Sequence, residues 1–296
     1  RDCGLTGMGG ASFPTHVKLS PPEDKAIDTI LINGAECEPY LTADHRVMVE
    51  SPEKVVYGLR AIMKALNVHN GIIGIEENKP DALEKIREAA RDYENIKVAS
   101  LQVKYPQGDE KRLINATTGR IVPSGGLPMD VGCIVNNAGT AKAIADAIQE
   151  GKPVYERVVT VTGKGVKEPK NLLVKIGTSF KDVLVQCNGF NGNPGKIIAG
   201  GPMMGISQYT NEIPVTKGTS GILVLTEEES KVPRLDPCIR CGQCLEVCPV
   251  FLEPITISNY SLKNRFDDAE KHAALDCIEC GSCTYICPAN RPLAES

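Results

Sequence analysis

Cys238-Ile239-Arg240-Cys241-Gly242-Gln243-Cys244-Leu245-Glu246-Val247-Cys248-Pro249 is echoed by Cys277-Ile278-Glu279-Cys280-Gly281-Ser282-Cys283-Thr284-Tyr285-Ile286-Cys287-Pro288. Both stretches follow one spacing, Cys-x2-Cys-x2-Cys-x3-Cys-Pro, the run whose thiolates hold [4Fe–4S] clusters. Three thiolates on one tight loop suit three corners of a cube. A tetrahedral zinc site also takes four Cys, but zinc motifs pair two Cys-x2-Cys knuckles across a long gap. Here three Cys arrive within seven residues, twice. In two-cluster proteins the fourth Cys of each run ligates the other cluster. The expected sets are therefore Cys238, Cys241, Cys244 and Cys287 for one cluster, and Cys277, Cys280, Cys283 and Cys248 for the other. Such centres pass single electrons.

Working outward, residues 254–263 and 267–275 read as two helices joining the cysteine loops. Loop then helix, duplicated, is the internal repeat of this chain. A helical 226–230 and Pro233 lead into it. Before that, residues 157–163 are β-branched and alternating, 172–176, 196–199 and 221–225 supply more strand, and 179–186 suits a single helix. One short helix among several strands suggests a small β-grasp-like α+β module. It begins after Gly151-Lys152-Pro153.

The first half alternates differently. Residues 27–32, 71–75 and 97–103 read as strands. Residues 52–66 have helical spacing, with Val55, Val56, Leu59, Ile62, Met63 and Leu66 on one stripe and Ser51 as N-cap. Residues 81–93 form a second amphipathic helix and 139–149 an Ala-rich one. A β-α-β-α-β order implies a parallel, Rossmann-like sheet covered by helices, with ligands gathering at the C-terminal ends of strands.

Four segments carry the chemistry of this half. Gly4-Leu5-Thr6-Gly7-Met8-Gly9-Gly10-Ala11-Ser12-Phe13-Pro14-Thr15 is dense in glycine, which brings backbone N–H groups close to a phosphate or a flat ring. It is not the dinucleotide fingerprint, because no strand precedes it and Ser12 holds the third glycine position. Lys18 behind it reads either as a phosphate partner or as a solvated side chain. Asn33-Gly34-Ala35-Glu36-Cys37-Glu38-Pro39-Tyr40 follows the first strand. Asn offers a donor and an acceptor, which suits the uracil-like edge of a flavin, and the carboxylates suit ribose or an amide. A polar turn closed by Pro is the competing account. Tyr105-Pro106-Gln107-Gly108-Asp109-Glu110 repeats the theme after the third strand. Asn136-Asn137-Ala138-Gly139-Thr140 opens the Ala-rich helix, where one Asn is explained as an N-cap and the group together forms a phosphate cradle.

Composition bounds the rest. The 296 residues suffice for two or three domains, and 42% hydrophobic with 24% charged residues is that of a globular protein. A net charge of −4 gives no nucleic-acid footprint. No apolar stretch approaches the ~18 residues of a spanning helix, and no signal peptide is visible. The chain opens at Arg1 close to the glycine loop, so an earlier portion is expected to be missing. Cys3, Cys37, Cys133 and Cys187 are scattered, which argues for a reducing compartment rather than a disulfide framework. His16, His45, His69 and His272 read as surface or packing residues.

Taken together, Gly9-Gly10-Ala11-Ser12-Phe13-Pro14-Thr15, Asn33-Gly34-Ala35-Glu36 and Asn136-Asn137-Ala138-Gly139-Thr140 resemble, in this order, the flavin subunit of respiratory complex I. That subunit ends in a single-cluster domain. Two cysteine runs behind a β-grasp module, with Ala199-Gly200-Gly201-Pro202-Met203-Met204-Gly205 between them, resemble instead the RnfC family, which serves Rnf ferredoxin:NAD oxidoreductases. The resemblance covers essentially the whole chain. It implies an FMN/NADH-binding α/β domain over 1–153, a β-grasp SLBB-like module over 154–228 and a helical two-[4Fe–4S] ferredoxin-type domain over 229–296. It implies FMN and NAD(H) held by Gly7, Gly9, Gly10, Ala11, Phe13, Lys18, Asn33, Glu36, Glu38, Tyr105, Gly108, Asp109, Glu110, Asn136, Asn137 and Thr140, with nicotinamide near Phe13, Lys18 and Glu38. Hydride passes between nicotinamide and flavin by orientation alone, without a catalytic acid or base.

The implied partners are the membrane subunits and a ferredoxin-like iron–sulfur subunit of the complex, with ferredoxin behind them and Na⁺ or H⁺ translocation coupled to its oxidation. The implied location is peripheral, on the cytoplasmic face of the membrane. Ala35 and Cys37 depart from the Asp and Ser of the complex I family. Two alternatives stay open: the related flavin- and cluster-bearing cobalamin reductase of bacterial microcompartments, and an electron-conducting subunit without flavin.

Overall fold

The computed structural model describes residues 1–296. Two compact units divide the chain, Arg1–Glu229 and Ser230–Ser296.

The first unit opens with the glycine loop, closed on itself by a Thr6–Pro14 bridge, and the short helix α1 (Thr15–Lys18). A four-stranded parallel sheet follows, made of β1 (Thr29–Gly34), β2 (Asn70–Glu76), β3 (Ile96–Leu101) and β4 (Cys133–Asn137), in the order β3-β2-β1-β4. The crossovers are α2 (Ala43–Glu50), α3 (Pro52–Ala65), α4 (Pro80–Ala90) and α5 (Glu110–Thr118); α6 (Ala138–Glu150) leaves β4. Period-two alternation sorts the strands between two cores. Ile30, Ile32, Ile73, Ile75 and Ile134 face α2, α3, α4 and α6 through Met48, Leu59, Ile62, Ile86 and Ile144. Leu31, Leu101, Cys133 and Val135 face α5 through Leu113 and Ile114. The α3–α6 pair packs at the limit: a Cβ on Gly58 would lie 2.0 Å from Ala141 O. After β3 the chain crosses back to place β4 beside β1. That reversal opens a crevice at the C-terminal ends of β1 and β4, where ligands bind in such sheets.

The remainder of this unit is a mixed sheet of β5 (Glu156–Thr162), β6 (Lys170–Lys175), β7 (Pro194–Ala199), β8 (Ile206–Gln208) and β9 (Gly221–Thr226), ordered β6-β5-β9-β7-β8. β5 and β9 run parallel and the other pairs antiparallel. The single helix α7 (Phe180–Val185), capped by Ser179 accepting from Asp182 N–H, buries Phe180, Val183 and Leu184 against Val159, Val161, Ile222 and Val224. A parallel central pair with one helix is the β-grasp arrangement expected from the strand pattern.

In the second unit α8 (Gln243–Glu246) and α11 (Ser282–Ile286) follow the two cysteine loops, and α9 (Pro254–Ser261) and α10 (Phe266–Lys271) join them. The duplication extends to the backbone. Arg240 and Glu279 share a left-handed conformation, as do Gly242 and Gly281, and again Phe251 and Asn290 three residues after each fourth Cys.

Three local expectations are corrected. Residues 226–230 are not helical: Thr226 ends β9, its N–H and hydroxyl donate to Glu229 Oε2, and Glu229 N–H donates back to Thr226 Oγ1. This reciprocal turn closes on itself, and Pro233 discourages helix beyond it. Ser51 precedes α3 without a side-chain cap bond, and Pro52 at the first helical position takes over the start. The expected helix over 267–275 breaks at Ala273, left-handed at φ 58°, into α10 and a 3₁₀ turn, Ala274–Asp276.

Candidate functional site

Four loops meet at the β1/β4 crevice because each continues from a strand end or packs on one. Asn33, at the end of β1, donates from Nδ2 to Gly108 O at 2.7 Å and accepts the Ala35 N–H at 3.1 Å. Cys37 Sγ accepts the Gly108 N–H at 3.1 Å, so the 105–110 segment is pinned to the end of β1. Burial pushes the Cys37 thiol up to about 11, which keeps it neutral. Asp109 caps α5 by accepting from Arg112 N–H at 3.0 Å. Glu110 pairs with Lys18 at 2.6 Å, and Lys18 also donates to Val135 O on β4.

Asn137 is both the last residue of β4 and the N-cap of α6. Its Oδ1 accepts from Gly139 and Thr140 N–H, while its Nδ2 donates to Asp44 Oδ2 at 2.6 Å. Thr140 Oγ1 in turn accepts the Met8 N–H at 2.9 Å, which seats the glycine loop on the α6 N-terminus. A Cβ on Gly9 would lie 3.4 Å from Asn137 Cβ. Phe13 stands half exposed at the loop's far end.

Two carboxylates serve the scaffold. Glu36 caps α2, its oxygens accepting from Asp44 N–H (2.8 Å) and His45 N–H (2.9 Å). Burial, with Asp44 beside it, pushes the Glu36 carboxyl up to about 8. Glu38 accepts from Met203 N–H at 2.6 Å and Met204 N–H at 3.2 Å, and a Cβ on Gly201 would overlap its side chain. The 199–205 hairpin is thereby a docking surface for the end of β1.

Flavin mononucleotide fits these residues. The N–H groups of Gly9, Gly10 and Ala11 have no backbone acceptor of good geometry within the chain, a row of donors suited to an anion. Thr6 Oγ1, Thr15 Oγ1, Gln107 Oε1 and Asn136 Nδ2 are buried without a partner, and each belongs to one of the converging segments. An unmet buried polar group costs about 1–3 kcal/mol, so a ligand that supplies partners here is favoured.

Sequence patterns missed Asp44, Arg157 and the Lys79–Glu76 pair. Lys79, almost fully buried, donates to Ala35 O (2.8 Å) and Glu76 Oε2 (3.0 Å). Arg157, 4% exposed, donates to Met8 O and Lys217 O. Burial pushes its guanidinium down to about 10 against the pull of Asp44 and Glu36. Arg157 did carry a signal: it shares strand parity with the core residues Val159 and Val161, where a charge is out of place.

The eight cysteines of the second unit fall into two sets. Cys238, Cys241, Cys244 and Cys287 line one cavity, and Cys248, Cys277, Cys280 and Cys283 line another. Burial raises the Cys244 thiol, with Cys238 and Cys287 adding to the effect; burial likewise raises Cys277, with Cys280 and Cys248 adding. Arg240 N–H and Glu279 N–H point at Cys238 Sγ and Cys277 Sγ, each at 3.4 Å, one more expression of the repeat. The thiols surround space rather than a point. No three His, Cys, Asp or Glu side chains come close enough to hold one metal ion, as zinc with sulfurs about 2.3 Å away requires. A four-iron cube spreads its ligands over four corners and fits both sets.

Comparison with known proteins agrees domain by domain. Residues 1–146 match the Nuo51 FMN-binding domain, 158–207 the SLBB domain and 234–291 the 4Fe-4S dicluster domain. The RnfC-type subunit of the Na⁺-translocating ferredoxin:NAD⁺ oxidoreductase complex of Acetobacterium woodii is 53% identical over 295 residues, covering 100% of this chain and 67% of that protein. The chain belongs to the RnfC family. The proton-translocating counterpart of Clostridium ljungdahlii is 53% identical over 93% of the chain, and the ion-translocating one of Rhodobacter capsulatus 43% over 99%. The chain spans 60% and 57% of those two proteins. An NAD⁺-reducing [NiFe]-hydrogenase in the air-oxidized state shares the fold, with a TM-score of 0.68 at 20% identity over 92% of this chain and 53% of that one. This member of the family thus carries an FMN-binding domain, an SLBB domain and a two-cluster [4Fe–4S] domain. No helix in it is long and apolar enough to cross a membrane.

Proposed function

We propose that this chain is the NAD(H)-reacting arm of a membrane-bound Rnf-type complex, divided at 1–153, 154–228 and 229–296. FMN, when bound, converts the two-electron hydride chemistry of nicotinamide into the one-electron chemistry of iron–sulfur clusters. The chain's own residues supply placement. The N–H groups of Gly9, Gly10 and Ala11 hold the phosphate end, with Asn137 and Thr140 seating their loop on α6. Asn33, Asn136 and the 105–110 segment orient the ring, and Phe13 with Lys18 borders the nicotinamide side. Orientation of the two rings is the catalytic contribution asked of the protein. The two cysteine sets hold the clusters that carry electrons singly. In the complex, the partners are membrane subunits and a ferredoxin-like iron–sulfur subunit at the cytoplasmic face, and the exchange is coupled to ferredoxin oxidation and to Na⁺ or H⁺ movement.

The observation that carries this reading is the convergence of four loops at the β1/β4 crevice, whose segments hold N–H groups without a backbone acceptor and buried polar atoms without a partner. The test is to reconstitute the protein with FMN, iron and sulfide without oxygen and to add NADH. Bleaching of flavin absorbance followed by reduction of the clusters is expected. A preparation that retains both clusters but binds no flavin, or whose flavin ignores NADH, overturns the proposal.

A further inference from the structure

The glycine loop precedes the first strand and has little scaffold of its own: the Thr6–Pro14 bridge, Gly7 N–H to Phe13 O (2.8 Å) and Thr15 N–H to Leu5 O (3.1 Å) close its neck. Its tip is held by others. On one side Thr140 of α6 takes the Met8 N–H. On the other side every contact comes from the β-grasp module. Arg157 on β5 donates from Nη1 to Met8 O at 3.2 Å and also to Lys217 O. Lys217 Nζ donates to Gly4 O at 2.5 Å. Gly218 lies so close that a Cβ there would sit 2.7 Å from both Gly10 O and Ser12 Oγ. Val154 N–H, where the module begins, bonds Cys3 O at 2.9 Å.

The chemistry of these contacts has a direction. They take carbonyls, or press on them, at Gly4, Met8 and Gly10, whereas the N–H groups of Gly9, Gly10 and Ala11 have no backbone acceptor of good geometry. Holding a tight loop by its carbonyls from behind leaves its amides to converge on the opposite side, which is the geometry of an anion nest. Arg157 is suited to this because Nη1 donates to both carbonyls while Nε donates to Val158 O at 3.2 Å, which fixes the planar group on its own strand; a Lys ammonium lacks that second anchoring nitrogen. Its burial is costly, and its bonds tie this loop at Met8 to the Lys217 turn.

We infer that Arg157 and the Lys217-Gly218 turn are positioning residues for the flavin site, through which the β-grasp module sets the shape of the phosphate-binding loop. The inference rests on the flavin reading above. None of the three residues touches the crevice itself; they act through the loop.

The test compares the wild-type protein with Arg157→Lys, Lys217→Met and Gly218→Ala, each reconstituted with both clusters. FMN affinity is measured by quenching of free flavin fluorescence, and hydrogen exchange is followed at residues 4–15. Thermal melting and iron content report the fold. Arg157→Lys and Gly218→Ala are expected to weaken FMN binding about tenfold or more, the loss of one good contact's equivalent. Melting and iron content stay near wild type, exchange at 4–15 rises, and the visible circular dichroism of residual bound flavin changes. Unchanged affinity and unchanged exchange in both variants overturn the inference. If Arg157→Lys fails to fold, Gly218→Ala and Lys217→Met carry the test, since both positions are only partly buried. Wild-type protein that binds no FMN sinks the flavin reading; loop exchange in Gly218→Ala then still decides whether the module clamps the loop.

Discussion

Removing cysteines two at a time separates crossed from run-by-run cluster ligation. Cys241 and Cys287 belong to different runs yet line one cavity, whereas Cys241 and Cys248 share a run and line different cavities. The cause lies in the helices: Cys248 follows α8 and Cys287 follows α11, and these helices pack on each other. Each helix therefore delivers its terminal Cys to the loop of the other. Wild-type protein loaded without oxygen is expected to hold about eight irons, two cubes of four. In Cys241→Ser with Cys287→Ser, one site keeps two thiolates and is lost, while Cys248, Cys277, Cys280 and Cys283 remain complete. About four irons in a single intact [4Fe–4S] cluster should survive. In Cys241→Ser with Cys248→Ser, each site keeps three thiolates, so no intact four-cysteine cluster remains and residual iron sits in three-iron form. Iron and sulfide analysis with Mössbauer spectroscopy distinguishes these outcomes. The reverse pattern, an intact cluster in the second double variant and none in the first, refutes the assignment of both sets.

Two further outcomes concern the first unit. Gly58→Ala drives a methyl toward Ala141 O, which is backbone and cannot move aside, so α3 and α6 must separate; a loss of about 1–3 kcal/mol or more is expected in urea unfolding, and an unchanged midpoint refutes the close approach. Glu36, raised by burial to about 8 from 4.5, favours folding in its protonated form, so its contribution is whole below about pH 4.5 and lost as pH rises through about 8. Glu36→Gln removes that dependence and should gain stability relative to wild type between pH 5 and pH 8.5; parallel unfolding curves for the two proteins would show that this carboxyl is not shifted.

How much could be read in advance depended on where the information sits. The cysteine runs carry their chemistry in spacing, and α3 in a wide apolar stripe, so both were legible. β2 and the Ala-rich α6 were readable to within a residue or two for the same reason. α2 was not: it buries Ala43, Val47 and Met48 among charged neighbours, and its start is fixed by Glu36, a carboxylate from outside the helix. α5 buries only Leu113 and Ile114, too little for periodicity to show. β4 is five residues long, and its Asn136-Asn137 end looked like the opening of a helix because Asn137 serves as strand end and cap together. Site residues on loops were legible as types, but their assignments were not. Sequence alone cannot show that Glu36 and Glu38 spend their oxygens on backbone donors of α2 and of the 199–205 hairpin.

The departures at Ala35 and Cys37 bear on whether the first domain is a working flavin site or a scaffold that has lost its ligand. Ala35 is fully buried in the core below the crevice, and its carbonyl accepts the buried Lys79 ammonium. Cys37 accepts the Gly108 N–H, a bond that a serine hydroxyl at this position could equally make, and its raised thiol adds no charge. Both substitutions therefore leave the end of β1 and the 105–110 segment tied together, which is what flavin placement requires. A decayed site has no reason to keep the rest. Unpartnered Asn136 Nδ2 and Gln107 Oε1 cost stability in a scaffold, and replacing them with apolar residues would relieve that cost. Arg157 buried behind the glycine loop is costlier still. Their retention together is explained when a ligand completes the polar atoms and the clamp shapes its cradle. It is unexplained when the domain merely fills space, and the structure accordingly favours a flavin site in use.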